Sequence, residues 1–156
     1  MRHHGFTLIE LMITLAIIAL LATITIPLAE VTLQRQKERD LHLALNEIRS
    51  ALDAYKKAVD DGHIARTINS SGYPKSLDIL EQGVPDARDP KMSKIYFLRR
   101  IPKDPMHPDP DVKPADTWGK RSYESEPDNP REGDDIYDVY SLSDKIGLNG
   151  VPYRKW

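Results

Sequence analysis

The sequence contains no cysteine among its 156 residues. A disulfide framework, catalytic thiol chemistry and a cysteine-based zinc site are therefore excluded. Gly-x-Ser-x-Gly, the Walker phosphate-binding loop and Gly-x-Gly-x-x-Gly are also absent. The histidines do not have the spacing of metal ligands: they are His3, His4, His42, His63 and His107. These absences predict that the protein is not an enzyme and requires no cofactor.

The sequence also lacks a strong excess of charge of one sign. Its net charge is −2, and residues 1–60 carry seven basic and seven acidic side chains against fifteen and seventeen in the remainder. No part has the basic excess that is typical of nucleic-acid-binding proteins, so no nucleic acid is predicted as a partner. Four carboxylates cluster late in the chain and could suggest paired catalytic acids, although a solvated loop and strand edge is the simpler interpretation: Glu132, Asp134, Asp135 and Asp138.

One long apolar run is present at residues 6–29, where Glu10 is the only formally charged residue. As a helix, the run would extend roughly 36 Å at about 1.5 Å per residue, which is enough for a hydrocarbon core of about 30 Å. A cleaved signal peptide is disfavoured because the run is too long and no Ala-x-Ala site follows it. A plain membrane anchor explains the length but not Glu10, because a carboxylate in a spanning helix costs roughly 2.5–3.5 kcal/mol near the bilayer centre and less toward an end.

The segment Gly5-Phe-Thr-Leu-Ile-Glu10 resembles the processing motif of type IV prepilins and type II secretion pseudopilins. The resemblance implies cleavage between Gly5 and Phe6 by a membrane prepilin peptidase, and N-methylation of the new terminus at Phe6. It also implies that Glu10 meets the Phe6 amine of a neighbouring copy during assembly. The family has a proline at the place of Pro27, where subunit helices loosen inside filaments, and proline bends a helix by removing a backbone hydrogen bond.

The charges that flank the apolar run disagree with the orientation that the motif implies. Arg2 precedes the run alone, whereas Arg35, Lys37 and Arg39 follow it. Basic residues usually lie on the cytoplasmic side of a membrane, so the charges alone favour the opposite orientation. We give the motif precedence because processing needs a cytoplasmic N-terminus. The prediction is a bacterial inner-membrane protein with a single span and a periplasmic C-terminal domain.

Apolar residues recur at alternating steps of four and three beyond the run, which predicts an amphipathic helix: Leu41, Leu45, Ile48, Leu52, Tyr55 and Val59. Gly62 is a candidate left-handed cap. We therefore predict one helix from about Phe6 to about Asp61, bent at Pro27. The predicted domains are a leader (residues 1–5), a membrane and assembly helix (6–29), its amphipathic continuation (30–61) and a periplasmic globular region (62–156).

Short elements are predicted in the globular region. A helix is expected at residues 76–83 with Ser76 as its N-cap, and an extended piece at 95–101. Five prolines at residues 102–114 exclude a helix there. Two strands are expected near residues 118–125 and 135–142. The predicted fold class is α+β, with a long helix packed on a small antiparallel sheet, as in type IV pilin-like proteins.

Several further motifs resemble the major, G-type pseudopilin of type II secretion: Tyr73-Pro74, Leu98 to Pro105, Trp118-Gly119, Tyr123 and Asp138 to Leu142. The chain departs from this family in two places. In the family the Asp-Pro and Trp-Gly elements are adjacent, whereas residues 106–117 separate them here. The C-terminal tail is also shorter and less acidic than is usual.

The tail bears on calcium, which the family's major pseudopilins bind there. The local oxygen donors are the side chains of Ser143, Asp144 and Asn149 and the carbonyl of Leu142. Calcium takes six to eight oxygens, and a single carboxylate is few for such a site. The alternative is a loop closed by its own packing, with three candidate anchors: Leu148, Val151 and Trp156.

The resemblance implies a structural subunit of a pseudopilus that polymerises through its N-terminal helix and drives export of folded proteins. Its implied partners are copies of itself, minor pseudopilins, an inner-membrane assembly platform, a prepilin peptidase and membrane lipid. One alternative is a type IV pilin of a surface fibre, although many such pilins bear a disulfide-closed loop. The other alternative is a monomeric membrane-anchored binding module, which leaves Glu10 and the cleavage motif unexplained.

Overall fold

The computed structural model of the protein describes residues 5–67 and 70–156, apart from the side chains of residues 24–28. The chain divides into two compact units, Met1–Gln36 and Lys37–Trp156. Most of the predicted leader and the side chain of Pro27 lie outside the described residues. The predicted bend and assembly role at Pro27 therefore stay predictions.

Helix α1, Leu8–Asp60, begins and ends close to the predicted bounds. It is capped by Gly62, whose φ of +77° lies in the left-handed region that favours glycine. The Gly62 N–H donates to the Val59 carbonyl at 3.0 Å, and the His63 N–H donates to the Ala58 carbonyl at 2.9 Å. These two bonds form a Schellman motif and satisfy carbonyls at the helix end. The predicted cap at Gly62 is confirmed.

The predicted apolar stripe of α1 faces the core of the second unit. Five of its six residues are buried, and Tyr55 is half-buried: Leu41, Leu45, Ile48, Leu52 and Val59. Ala44 and Ala51 lie between them and are buried as well. Burial at this spacing accounts for the helix, because a helix of a globular protein is held mainly by its packed face.

Among the described residues, the second unit also contains two small antiparallel sheets. β1 (Val84–Pro85) pairs with β2 (Lys94–Ile95), and β3 (Trp118–Arg121) pairs with β4 (Asp138–Ser141). In the second sheet Trp118 lies opposite Ser141, and Arg121 lies opposite Asp138. The predicted α+β fold, a long helix packed on a small antiparallel sheet, is confirmed.

Three local predictions were wrong in extent or detail. The extended piece at residues 95–101 pairs only at its start, because the Phe97 and Leu98 N–H groups both donate to the Leu80 carbonyl. Both predicted strands are shorter than expected: β3 ends at Arg121 because the Ser122 N–H donates to the Arg131 carbonyl in the following loop, and β4 begins only at Asp138 because the Ile136 N–H donates to the Pro74 carbonyl. Helix α2, Asp78–Gln82, starts after Leu77 without a side-chain cap, so Ser76 is not its N-cap.

Residues 106–117 form an excursion between two neighbouring points of the core, and two residues near its end, Ala115 and Thr117, are buried. The Asp104 N–H donates to Thr117 Oγ1 at 3.1 Å, which closes the excursion at its base. Beside it, Trp118 Nε1 donates to the Pro102 carbonyl at 2.8 Å. The excursion itself carries one short 3-10 helix, Pro114–Asp116. The Asp-Pro and Trp-Gly elements, which the excursion separates in the sequence, are therefore neighbours in space.

Candidate functional site

The predicted cleavage point lies just before the first helix. Gly5 and Phe6 precede α1 and are exposed, and the Phe6 side chain is 81 % accessible. Apart from its chain neighbours, no atom of the residues that the structure describes lies within 4 Å of a Cβ placed on Gly5. A larger residue at this position therefore strains nothing within the described part of the subunit. Any requirement for glycine here has to come from a partner such as a peptidase.

Glu10 and Thr7 form a capping box at the start of α1. The Glu10 N–H donates to Thr7 Oγ1 at 3.3 Å, and the Thr7 N–H makes a long contact of 3.5 Å with Glu10 Oε2. Such reciprocal bonds satisfy backbone donors that a helix N-terminus leaves unpaired. The Thr7-x-x-Glu10 spacing is the sequence signal of a capping box, which the sequence analysis did not predict. Glu10 thus has a local role besides any role between subunits.

The first part of α1 exposes apolar side chains on every side. The accessible fractions include 81 % at Leu8, 66 % at Leu15 and 65 % at Leu20. A helix that is apolar all round is stable only where lipid or other protein covers it. Among the residues that the structure describes, no helix combines the length and the hydropathy needed to cross a membrane.

The proposed calcium ligands at the C-terminus do not form a site that fits the ion. Asn149 Oδ1 accepts from the Val151 N–H at 2.9 Å, and Ser143 Oγ makes a 3.4 Å contact with the Lys145 N–H. Asp144 and Leu142 are exposed. Within the described residues no group of three or more His, Asp or Glu side chains could hold a metal ion. One carboxylate and two oxygens engaged in turns fall short of the six to eight that calcium takes.

Among the three candidate anchors of this tail, Trp156 alone packs on the core. Its ring stacks on His42 with centroids 4.2 Å apart, whereas the side chains of Leu148 and Val151 are 46 % and 39 % exposed. The main anchor is Tyr153, which is 1 % exposed and which was not identified from the sequence. It follows a proline in a short segment without periodicity, so no local pattern indicates its burial.

Comparison with known proteins identifies the family. Residues 1–26 match the family described as "Prokaryotic N-terminal methylation motif". The chain is 31 % identical over 112 residues to the type II secretion system core protein G of Escherichia coli (strain K12), and the match covers 67 % of each chain. The chain belongs to the type II secretion system core protein G family. This membership confirms the resemblance to a G-type pseudopilin.

Other core G proteins match to a similar degree. The protein from Aeromonas hydrophila is 30 % identical, with 67 % of this chain and 68 % of the relative covered. The protein from Dickeya chrysanthemi is 30 % identical, with 67 % and 63 % covered. The matches thus span about two thirds of these relatives. No solved structure matches the chain at comparable significance.

The late acidic cluster of this core G family member makes structural bonds. Asp138 accepts from Arg49 Nε at 2.8 Å and from Arg121 Nη2 at 3.1 Å. Asp135 accepts from the Ser71 hydroxyl and, at 2.9 Å, from the Tyr123 N–H. The other two members, Glu132 and Asp134, are exposed. The interpretation as a solvated loop and strand edge therefore holds for these two, while Asp135 and Asp138 join separate parts of the chain.

The carboxyl group of Asp135 predicts a pH dependence of stability. Burial acts to raise its pKa, but hydrogen bonds from Ser71 and from the Tyr123 N–H outweigh this and hold the pKa below its ordinary value. A carboxylate with a lowered pKa stabilises the fold above its unfolded pKa, near 4, and the effect is lost as the pH falls further. We expect Asp135→Asn to lower the free energy of unfolding at pH 7 by about 1 kcal/mol.

Urea unfolding of the two proteins at pH 7 and at pH 3 measures this effect. The difference between wild type and Asp135→Asn should shrink at pH 3, which is below the unfolded pKa of the carboxyl, because the stabilisation by the ionised side chain is being lost there. Asp134→Asn is the matched control, since its side chain is exposed, and it should change stability little at either pH. An equal loss of stability from both variants at pH 7 would contradict the role of Asp135.

Proposed function

We propose that this chain is a structural subunit of the pseudopilus of a type II secretion system, and that its polymerisation drives export of folded proteins. The observation that carries the proposal is membership of the core protein G family, which joins a prepilin motif to a pilin-like fold. The helix that follows the motif exposes apolar side chains all round. A filament or a membrane would supply the cover that this surface needs.

The residues of the N-terminal segment take successive roles in this proposal. A prepilin peptidase cleaves between Gly5 and Phe6, and Phe6 becomes the N-methylated terminus. Glu10 supplies a counter-charge for the Phe6 amine of a neighbouring copy. Pro27 loosens the helix within the filament. Assembly is head to tail, and such contacts form an open helix when their rotation does not close a ring.

The proposed location follows from the same motif. Before assembly the subunit spans the bacterial inner membrane once, with its N-terminus in the cytoplasm and the unit Lys37–Trp156 in the periplasm. Its proposed partners are copies of itself, minor pseudopilins, the inner-membrane assembly platform, the prepilin peptidase and lipid. The chain is proposed to perform no catalysis of its own.

The variant Gly5→Leu tests both the processing and the secretion role. We expect the bulky side chain to block the peptidase, so that residues 1–5 stay attached and secretion of folded proteins stops. Because a Cβ at Gly5 meets no atom of the described part of the chain beyond its neighbours, the variant should unfold at the wild-type temperature. Intact-mass measurement of membrane-extracted protein and an assay of secreted enzymes in the medium supply the two results.

Two outcomes would contradict the proposal. Wild-type protein that retains residues 1–5 in the presence of the peptidase would exclude processing. Normal secretion combined with lost attachment or motility in the unprocessed variant would indicate a surface pilin instead. Wild-type protein made without the peptidase is the control for the mass of the unprocessed form.

A further inference from the structure

The C-terminal segment, defined here as residues 142–156, is bound by a carboxylate from helix α1. Glu38 Oε1 accepts hydrogen bonds from the Leu148 N–H and from the Tyr153 hydroxyl, each at 2.8 Å. The two donors are five residues apart in the segment and more than a hundred residues from Glu38. Hydrogen bonds to an ionised group are about twice as strong as neutral ones. One carboxylate oxygen therefore joins two points of the segment to the helix.

Two further residues of α1 bind the end of the same segment. His42 lies one turn after Glu38 and stacks on the Trp156 ring with an interplanar angle of 15°. Arg49 Nη2 donates to the Trp156 backbone oxygen at 2.7 Å, and Arg49 Nε donates to Asp138 at 2.8 Å. Residues four apart lie on the same side of a helix. Helix α1 thus holds the segment through three polar side chains beside its buried apolar stripe.

The turn inside the segment is closed by its own backbone. The Gly147 N–H donates to the Val151 carbonyl, and the Gly150 N–H donates to the Gly147 carbonyl, each at 2.9 Å. The Tyr153 N–H donates to the Lys145 carbonyl at 3.1 Å. A Cβ on Gly147 would lie 2.5 Å from the Trp156 ring, so the chain passes close to this ring.

A bound cation and a carboxylate organise a loop in opposite ways. A cation gathers oxygen atoms, and the backbone presents its carbonyls inward. A carboxylate accepts hydrogen bonds only, so it gathers N–H and O–H groups. The segment presents the Leu148 N–H and the Tyr153 O–H toward Glu38. Its arrangement is that of a loop built around an anion.

We infer that the Glu38 carboxylate, rather than a bound calcium ion, fastens the C-terminal segment to helix α1. Glu38 is not part of the C-terminal tail, which contains all the predicted calcium ligands. It also lies 28 residues after Glu10 along the chain, outside the segment that is proposed to be processed and to assemble the subunit. The inference concerns the fold of the second unit, so its test does not depend on whether the protein is a pseudopilus subunit.

Thermal unfolding of the full-length protein in mild detergent, with excess calcium chloride or with EDTA, tests this inference. Wild-type protein should unfold at the same temperature in both. Glu38→Ala should lower this temperature by roughly 3–8 °C in both, as expected from losing two bonds to a charged group. Tyr153→Phe removes one donor and should lower it less. Glu47→Gln, an exposed position on the same helix, is the matched control and should change little.

Hydrogen exchange in the peptide that covers residues 143–152 supplies a local measurement. Exchange of the Leu148 amide should be faster in Glu38→Ala and unchanged in Glu47→Gln. Unchanged exchange in Glu38→Ala would overturn the inference. So would a calcium-dependent rise of the wild-type unfolding temperature that Asp144→Asn abolishes, because the ion would then fasten the segment.

Discussion

Replacing Glu10 by alanine is expected to leave the protein inserted in the membrane and processed, and to reduce filament yield more than tenfold. Removing a charge makes insertion easier, so the amount of membrane-bound subunit should not fall. In the proposed assembly, the Glu10 carboxylate pairs with the Phe6 amine of a neighbouring copy. Removing one partner of such a pair in apolar surroundings costs about 3–5 kcal/mol. Each 1.4 kcal/mol corresponds to about a tenfold change in an equilibrium constant. Filaments sheared from cells, relative to total membrane-bound protein, give the yield.

The capping box gives Glu10 a second role, and the experiment has to separate the two. Glutamine can complete a capping box but carries no charge. Glu10→Gln should therefore lose filaments as Glu10→Ala does, if the counter-charge is what matters. Thr7→Ala removes the partner in the box and keeps the charge, so it should retain most of the filament yield. A normal yield from Glu10→Gln would show that the carboxylate serves the helix cap alone.

Trp118→Ala is expected to cost about 3–5 kcal/mol of unfolding free energy, which is the usual range for removing a buried Trp side chain. Trp118 is 1 % exposed and lies at the start of β3 within the core. The substitution also leaves the Pro102 carbonyl without the indole N–H that bonds it. We expect the variant to accumulate poorly in cells, because such a loss is a large part of a typical protein's stability.

Urea unfolding of purified protein measures the effect of Trp118→Ala. Trp118→Phe is the matched variant, since it keeps an aromatic ring in the core and loses only the N–H group and part of the volume. Its cost should be about 1–2 kcal/mol. A change below 1 kcal/mol in the alanine variant would show that Trp118 does not have the packing role described here.

The long helix could be predicted because its determinants are local. The apolar steps of four and three place Leu41, Ile48 and their neighbours on one face, and burial of that face follows the same period. Gly62 could be identified because the left-handed cap favours glycine. The processing motif could also be identified from the sequence, because it is one contiguous stretch at the start of the apolar run.

Long-range contacts could not be predicted in the same way. Glu38 lies among charged residues of α1, and nothing in its neighbourhood indicates the Tyr153 hydroxyl 115 residues away. The composition of residues 95–101 predicts an extended piece, but Phe97 and Leu98 donate their backbone N–H groups to the Leu80 carbonyl and not to a neighbouring strand. In such cases tertiary contacts decide between alternatives that local propensity leaves open.

The excursion at residues 106–117 is closed at its base. The length of its exposed part therefore has little effect on the free energy of unfolding of the core. Doubling the length of a flexible loop costs only about 0.6 kcal/mol, because closure entropy depends weakly on length. Asp104 and Thr117 already meet at the base. Changes of length in the exposed part of the excursion, residues 108–111, are therefore expected to cost the fold little, whereas Ala115 and Thr117 are buried and have to stay.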